Sequence, residues 1–225
     1  MKLALKMIGD KREVITEFEV VKFILEEFKK RNLKSDDDRL IVAFGSNTSF
    51  VHYFPESDSK KLEHDVPIMI DIWGRVNKKG APFADITWYG FFGEGIANEI
   101  QENFQRVIGA RDAAIDFIKT ELILGKMPIG REIDRKVRDY FADHNVSERF
   151  LHSTGHSLGF VSPHGRLAGV RRPNKQQLQK NLGYTIEPGL YYDNLFGARS
   201  EIDFYINDDF ELIITTRVQD KIILI

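Results

Sequence analysis

In VITEFEVVKFILEEFKKRN (14–32), the apolar residues fall at positions 14, 15, 18, 21, 24, 25 and 28. A recurrence every three or four residues predicts an amphipathic helix with one buried face. RLIVAFG (39–45) predicts a short strand running into the turn GSNTS, and VPIMIDIWGRV (66–76) a strongly apolar strand. NKKGAP then reads as the turn into a further strand, FADITWYGFFG (83–93). Apolar residues at 96, 100, 104, 107, 108, 115 and 118 predict a long helix over 96–125, stopped by Gly125 and Pro128. Ile133, Val137 and Phe141 give the next helix, 131–145, a single apolar face. The rest predicts β structure: strands at 183–192, 198–206, 210–216 and 220–225, in the same half as the polar, basic connector RRPNKQQLQKN. Helices and antiparallel-looking strands are segregated, so the expected class is α+β, with one domain over 1–225.

Composition narrows the chemistry. The 225 residues are 42% hydrophobic and 29% charged, the balance of a globular chain long enough to bury a core. The formal net charge of −2 leaves no basic excess for phosphates, so no nucleic-acid partner is expected. The absence of cysteine excludes disulfides, zinc–thiolate sites and thiol nucleophiles. Any metal must be held by His, Asp and Glu, a donor set suited to Mn, Fe, Co or Zn. The polar start MKLALKMIGDKREV and the lack of a span-length apolar run predict no signal peptide and no membrane segment, hence a cytoplasmic protein.

Four acids sit where the pattern predicts burial: Asp71 in IMIDIW, Asp85 in FADITW, Glu187 in YTIEPGLYY and Glu201 in RSEIDFYI. An unpaired carboxylate in such a place costs on the order of several kcal/mol or shifts its pKa to stay neutral. A single one is as often a half-solvated or ion-paired edge residue as a functional group. Arg199 is the clear basic residue nearby, whereas two divalent cations would balance all four acids. Asp71 and Asp85 are 14 residues apart, and so are Glu187 and Glu201. Two hairpins, each with its acids on one face, would give similar halves offering carboxylates to a shared centre.

FLHSTGHSLGFVSPHG (150–165) adds His152, His156 and His164. The first two have the four-residue spacing of a zinc-binding helix, but Gly155, Gly159 and the Ser/Thr residues between them favour strand and loop. A lone loop histidine is more often exposed or hydrogen-bonded than a ligand. His64 and His144, in polar surroundings, read as surface residues. His52, in NTSFVHYFP beside an apolar strand end, could equally face solvent or a cleft.

Taken in order, IDIWG, ADITW, STGHSLG, TIEPGLYY and ARSEIDF resemble the five ligand motifs (Asp, Asp, His, Glu, Glu) of the pita-bread metallopeptidases. That superfamily includes methionine aminopeptidase, aminopeptidase P, prolidase and creatinase. The match spans almost the whole chain. GSNTSFVHYFP is similar to a segment of the Xaa-Pro peptidases, and methionine aminopeptidases carry a cysteine-containing segment there that this chain lacks. The resemblance implies a curved antiparallel sheet in two pseudo-symmetric halves covered by helices. It implies two divalent metal ions, with Asp85 and Glu201 bridging, Asp71 on one ion, and His156 and Glu187 on the other. His52, His152 and His164 would handle substrate, Glu187 would also shuttle a proton, and Arg199 would orient the bridging carboxylates. The implied activity is hydrolysis of the N-terminal bond of Xaa-Pro peptides. The alternatives are a creatinase-like hydrolase of a non-peptide C–N bond and a non-catalytic binding module. A homodimer stays open. Trp88 stands where the peptidases usually carry arginine, Gly165 where an acid follows their histidine, and the N-terminal domain usual in Xaa-Pro enzymes is not part of this chain.

Overall fold

The computed structural model describes residues 1–167 and 169–225. Among them are helices α1 (Lys2–Lys11), α2 (Glu17–Lys30), α3 (Asn98–Ile123) and α4 (Gly130–Asp143). The strands of the first half are β1 (Leu33–Lys34), β2 (Ile41–Phe44), β3 (Val66–Val76) and β4 (Ala84–Phe92). Those of the second are β5 (Tyr184–Ile186), β6 (Gly189–Tyr192), β7 (Phe196–Arg199), β8 (Ile202–Ile206), β9 (Leu212–Ile214) and β10 (Ile223–Leu224).

β3 and β4 form the central antiparallel hairpin, with Asp71 facing Thr87 and Trp73 facing Asp85. Because strand side chains alternate, this register puts Asp71 and Asp85 on the same face. Both faces of the hairpin are covered, which is why its sequence reads as continuously apolar. Ile68, Ile70, Ile72 and Trp88 pack with residues of α1 and α2. Met69, Tyr89 and Phe91 pack against α3, where Tyr89 stacks on Phe104 with ring centroids 5.4 Å apart. The acids share this second face, at the point where the apolar core gives way to a cleft.

The pattern-based boundaries hold closely for β3, β4, α3 and α4, and residues 150–165 contain no helix, as their glycines and hydroxyl residues suggest. α2 starts later than expected. Thr16 closes a capping box in which Glu19 N–H donates to Thr16 Oγ1 (3.2 Å) and Thr16 N–H to Glu19 Oε2 (2.9 Å). α1 was not expected from the polar pattern. Ala4, Leu5 and Ile8 form only a short apolar face, which becomes stable as a helix by packing on the sheet.

The strands expected over 183–192 and 198–206 are each broken in two, so Glu187 and Glu201 lie in strand breaks, not in strands. Ile186 faces Ile202 and Gly189 faces Arg199, and the same register carried across the gap sets Glu187 opposite Glu201. The ladder parts one residue on, where Pro188 has no N–H to donate, although Ser200 N–H still reaches Pro188 O (3.3 Å). The N–H groups of the two acids point outward from the pair, Glu187 to Thr154 O (2.7 Å) and Glu201 to Thr87 O of β4 (3.4 Å). These outward bonds tie the second hairpin to the first. β10 returns to the first half, running parallel to β4 with Ile223 beside Gly90.

Phe104 is fully buried between the hairpin and the helices, so Phe104→Ala should cost about 3–5 kcal/mol. Urea unfolding should show a lower midpoint at an unchanged slope, and an unchanged midpoint would contradict this packing.

Candidate metal centre and substrate cleft

The two hairpins bring their acids together. Ligand atoms of Asp85, His156 and Glu201 all lie within 4.8 Å of one another. His156 Nε2 is 3.6 Å from Asp85 Oδ2 and 3.5 Å from Glu187 Oε1. Asp71 is turned to the Arg199 guanidinium, which also donates to Thr87 Oγ1 (3.1 Å). Thr87 in turn donates to Glu201 Oε2 at 2.9 Å. The chain Asp71–Arg199–Thr87–Glu201 thus fixes one carboxylate of each hairpin relative to the other: Arg199 touches Asp71 directly and reaches Glu201 only through Thr87.

His156 is held from behind. Its Nδ1 lies 3.0 Å from Ser157 O, so Nδ1 keeps its proton and Nε2 faces the acids, where it can ligate once its own proton is displaced. Its N–H donates to Thr185 Oγ1 (3.1 Å), and its carbonyl accepts from Thr185 N–H (2.9 Å). Gly155 permits this approach, since a Cβ there would fall 2.1 Å from Thr185 O.

Asp203 joins the group. It is 1% exposed and its Oδ2 accepts the Asp85 N–H at 2.9 Å. The signal that singled out the other acids, a carboxylate inside an apolar run, was present in EIDFYI as well. Tyr191 had no such signal. Its hydroxyl accepts from Arg199 Nη1 (3.1 Å) and lies 2.9 Å from His152 Nε2. His152 Nδ1 is 2.8 Å from Ser153 O, so both nitrogens of His152 are engaged within the protein. Burial, then Arg199, lowers its pKa to about 3, and it stays neutral.

His52 and His164 stand exposed along a cleft of about 450 Å³ whose lining includes His156, Glu187, Arg166 and Arg171. Burial lowers the pKa of both, and nearby positive groups add to this: Arg199 for His52, His156 for His164. The ring centroids of His156 and His164 are 4.3 Å apart, so His164 lies beside the candidate centre. His64 and His144 are exposed, as expected.

The charge balance calls for a cation. Burial, followed by mutual repulsion, drives Glu201 upward. Asp85 and Glu187 rise through burial, opposed in part by His156. Burial takes Asp203 to about 8. Burial works against a charged His156, but Asp85 and Glu187 outweigh it and lift the ring to about 9. Even with His156 charged, acids outnumber the positive groups beside them, and Asp71 Oδ1 and Asp203 Oδ1 are buried without partners, so the group holds more acceptors than donors. All-oxygen-and-imidazole donors of this kind fit a divalent transition metal.

The model of metallopeptidase family M24 matches residues 1–208. Uncharacterized peptidases of Staphylococcus haemolyticus and Staphylococcus aureus are each 28% identical, over 87% and 90% of this chain and 52% and 54% of theirs. The chain therefore spans about half the length of the curated relatives it matches. An X-Pro aminopeptidase from Thermotoga maritima superimposes with a TM-score of 0.85 at 26% identity, covering 100% of this chain and 60% of that one. An Xaa-Pro dipeptidase from Bacillus anthracis gives 0.84 at 25%, covering 99% and 59%. The pita-bread fold expected from the motifs is the observed fold. No helix among the described residues is long and apolar enough to cross a membrane.

The raised values predict a pH dependence for protein stripped of metal. A group whose pKa is higher in the folded state stabilises the fold below its unfolded value, and loses that contribution as pH rises through the folded value. His156, with a folded value of about 9, and Asp203, at about 8, should both reduce stability between pH 6.5 and 9. The lowered Met1 amino group opposes them up to its ordinary value of 8.0. The melting temperature should fall across this range without metal, and added Mn²⁺ should raise it more at pH 9 than at pH 6.5. A pH slope that metal leaves untouched would contradict this account.

Proposed function

The chain belongs to metallopeptidase family M24, and we propose that it is a dinuclear metal-dependent exopeptidase that removes the residue preceding a proline from short peptides. The observation that carries this reading is the buried, acid-rich group of Asp85, His156 and Glu201, ligand atoms within 4.8 Å of one another, beside a cleft lined by exposed histidines and arginines. The resemblance of GSNTSFVHYFP to Xaa-Pro peptidases, and the structural likeness to an X-Pro aminopeptidase and an Xaa-Pro dipeptidase, support the substrate class.

Asp85 and Glu201 would bridge two ions, Asp71 would complete one site, and His156 and Glu187 the other. When bound, such ions supply Lewis acidity and acidify water at neutral pH. The protein's own groups do the rest. Arg199 fixes Asp71 and, through Thr87, Glu201. Glu187, on the cleft wall, accepts the proton of the attacking water and returns it to the leaving amine. His52 and His164 face the cleft with free ring edges and donate to the carbonyl oxygen as charge develops on it. His152 acts through Tyr191, whose hydroxyl it holds.

Metal-loaded protein should release the N-terminal residue from Xaa-Pro peptides and not from a methionyl control. Glu201→Ala should lose bound metal by elemental analysis. His152→Ala should keep metal and turn over about tenfold to a hundredfold more slowly. Hydrolysis of no Xaa-Pro peptide of any length, or failure of the intact chain to take up metal, would overturn the proposal.

Arg166 and Arg171 bear on peptide length. Both are exposed on the cleft lining, and neither has an acidic partner among the described ion pairs. A dipeptide's carboxylate lies one residue past the scissile bond, within the same cleft, where a guanidinium can receive it. Arg171→Ala should raise KM for an Xaa-Pro dipeptide about tenfold, with little change for the corresponding amide. Equal effects on acid and amide would remove the dipeptide preference from the reading.

A further inference from the structure

Glu17 is a fully buried carboxylate far from the metal-ligand motifs, at the start of α2. Its Oε1 accepts from Phe44 N–H at 2.6 Å and Asn47 Nδ2 at 2.9 Å. Its Oε2 accepts from the Tyr53 hydroxyl at 2.6 Å and Asn47 Nδ2 at 3.1 Å. Those donors belong to the end of β2, the turn after it and the residue that follows His52. Its own N–H donates to Lys60 O (3.2 Å), so both ends of segment 44–60 are fastened to the helix.

A helix-capping role does not account for this arrangement. The cap of α2 is already made by Thr16 and Glu19. Charge pairing does not account for it either, because every side-chain donor reaching Glu17 is neutral. What the carboxylate does gather is one loop, and that loop presents His52 to the cleft. On the other side of His52, Val51 O accepts from Arg199 Nη1 at 3.1 Å. His52 is itself exposed, so its place rests on these two flanking anchors. One anchor leads through Arg199 to Asp71, the other through Tyr53 to Glu17.

We propose that Glu17 is a positioning residue for catalysis, acting through the Tyr53 hydroxyl to hold His52 over the reacting carbonyl. This rests on the peptidase reading of the cleft, in which His52 donates to the substrate. Glu17 itself touches no substrate. Its effect is on how often His52 occupies the productive position, so it acts on kcat and leaves the ground-state cleft and the metal ligands as they are.

Tyr53→Phe is the sharpest probe, because it removes one hydroxyl and leaves Glu17 with Phe44 and Asn47. In the Mn²⁺-loaded full chain it should lower kcat for an Xaa-Pro peptide about tenfold at unchanged KM and metal content. His52→Ala should lower it about a hundredfold. The double variant should match His52→Ala alone, because the hydroxyl has nothing left to position. Glu17→Gln, which keeps shape but offers a single acceptor oxygen, should behave as Tyr53→Phe does. Effects of Tyr53→Phe and His52→Ala that multiply would overturn the proposal, as would an unchanged kcat in Tyr53→Phe. A second measurement does not depend on turnover. With histidine-labelled protein, Tyr53→Phe should shift or broaden the His52 ring resonance and leave that of His144 in place. If no Xaa-Pro peptide is cleaved, the peptidase reading fails and the resonance alone decides whether Glu17 holds His52. An unmoved His52 resonance overturns that link.

Discussion

Like charges held out of water are the constraint around which this protein is arranged. Asp71, Asp85, Glu201 and Asp203 are all buried, and Glu187 faces the same space. Arg199 answers part of the charge through Asp71, and His156 answers part of it by favouring its charged form. The remainder leaves carboxylates that burial pushes toward neutrality and buried oxygens without donors. Removing the acids would relieve the strain and remove the site. Bound cations would relieve it and, on the proposed reading, supply the chemistry, so the cost of the arrangement and its use would have one origin.

The backbone around the acids joins the halves. The register of the second hairpin sets Glu187 directly against Glu201. Their N–H groups point outward, one to Thr154 O and the other to Thr87 O. The ladder itself parts at Pro188, which has no N–H to give. A buried acid reaches the histidine-bearing segment of each half from a helix: Glu17 on α2 holds Tyr53 beside His52, and Asp134 on α4 accepts from Thr154 N–H and Oγ1, two residues from both His152 and His156. Arg138 pairs with Asp134 at 2.7 Å and donates to His152 O at 2.9 Å. Rigid helices thus set the loops where the chemistry would occur.

Much of this was legible in the chain. The period of the apolar positions located β3, β4, α3 and α4, because each buries a face large enough to override local preference. An acid inside an apolar run is a local anomaly, so Asp71, Asp85, Glu187 and Glu201 stood out one by one. The equal spacing of the two pairs pointed to paired hairpins. Asp203 carries the same mark two residues after Glu201, where the nearer acid obscures it. α1 was hidden because its three buried residues become meaningful only against a sheet surface assembled from later residues. The engagement of His152 by Tyr191 and Ser153 was equally hidden, since residue type gives no sign of whether a ring nitrogen is already bonded.

The sequence by itself determined the main elements, the candidate ligand types and the separation of surface from candidate site histidines, because periodicity, spacing and polarity are properties of short segments. The tertiary structure alone decided which groups meet. It turned Asp71 to Arg199, set Glu187 opposite Glu201 and then parted their strands, and placed Glu17 beneath the His52 loop from 35 positions earlier in the chain. Each of these depends on register and on the approach of distant segments. Their energies are long-range electrostatics and shared hydrogen bonds, terms that exist only once the two halves have closed on each other.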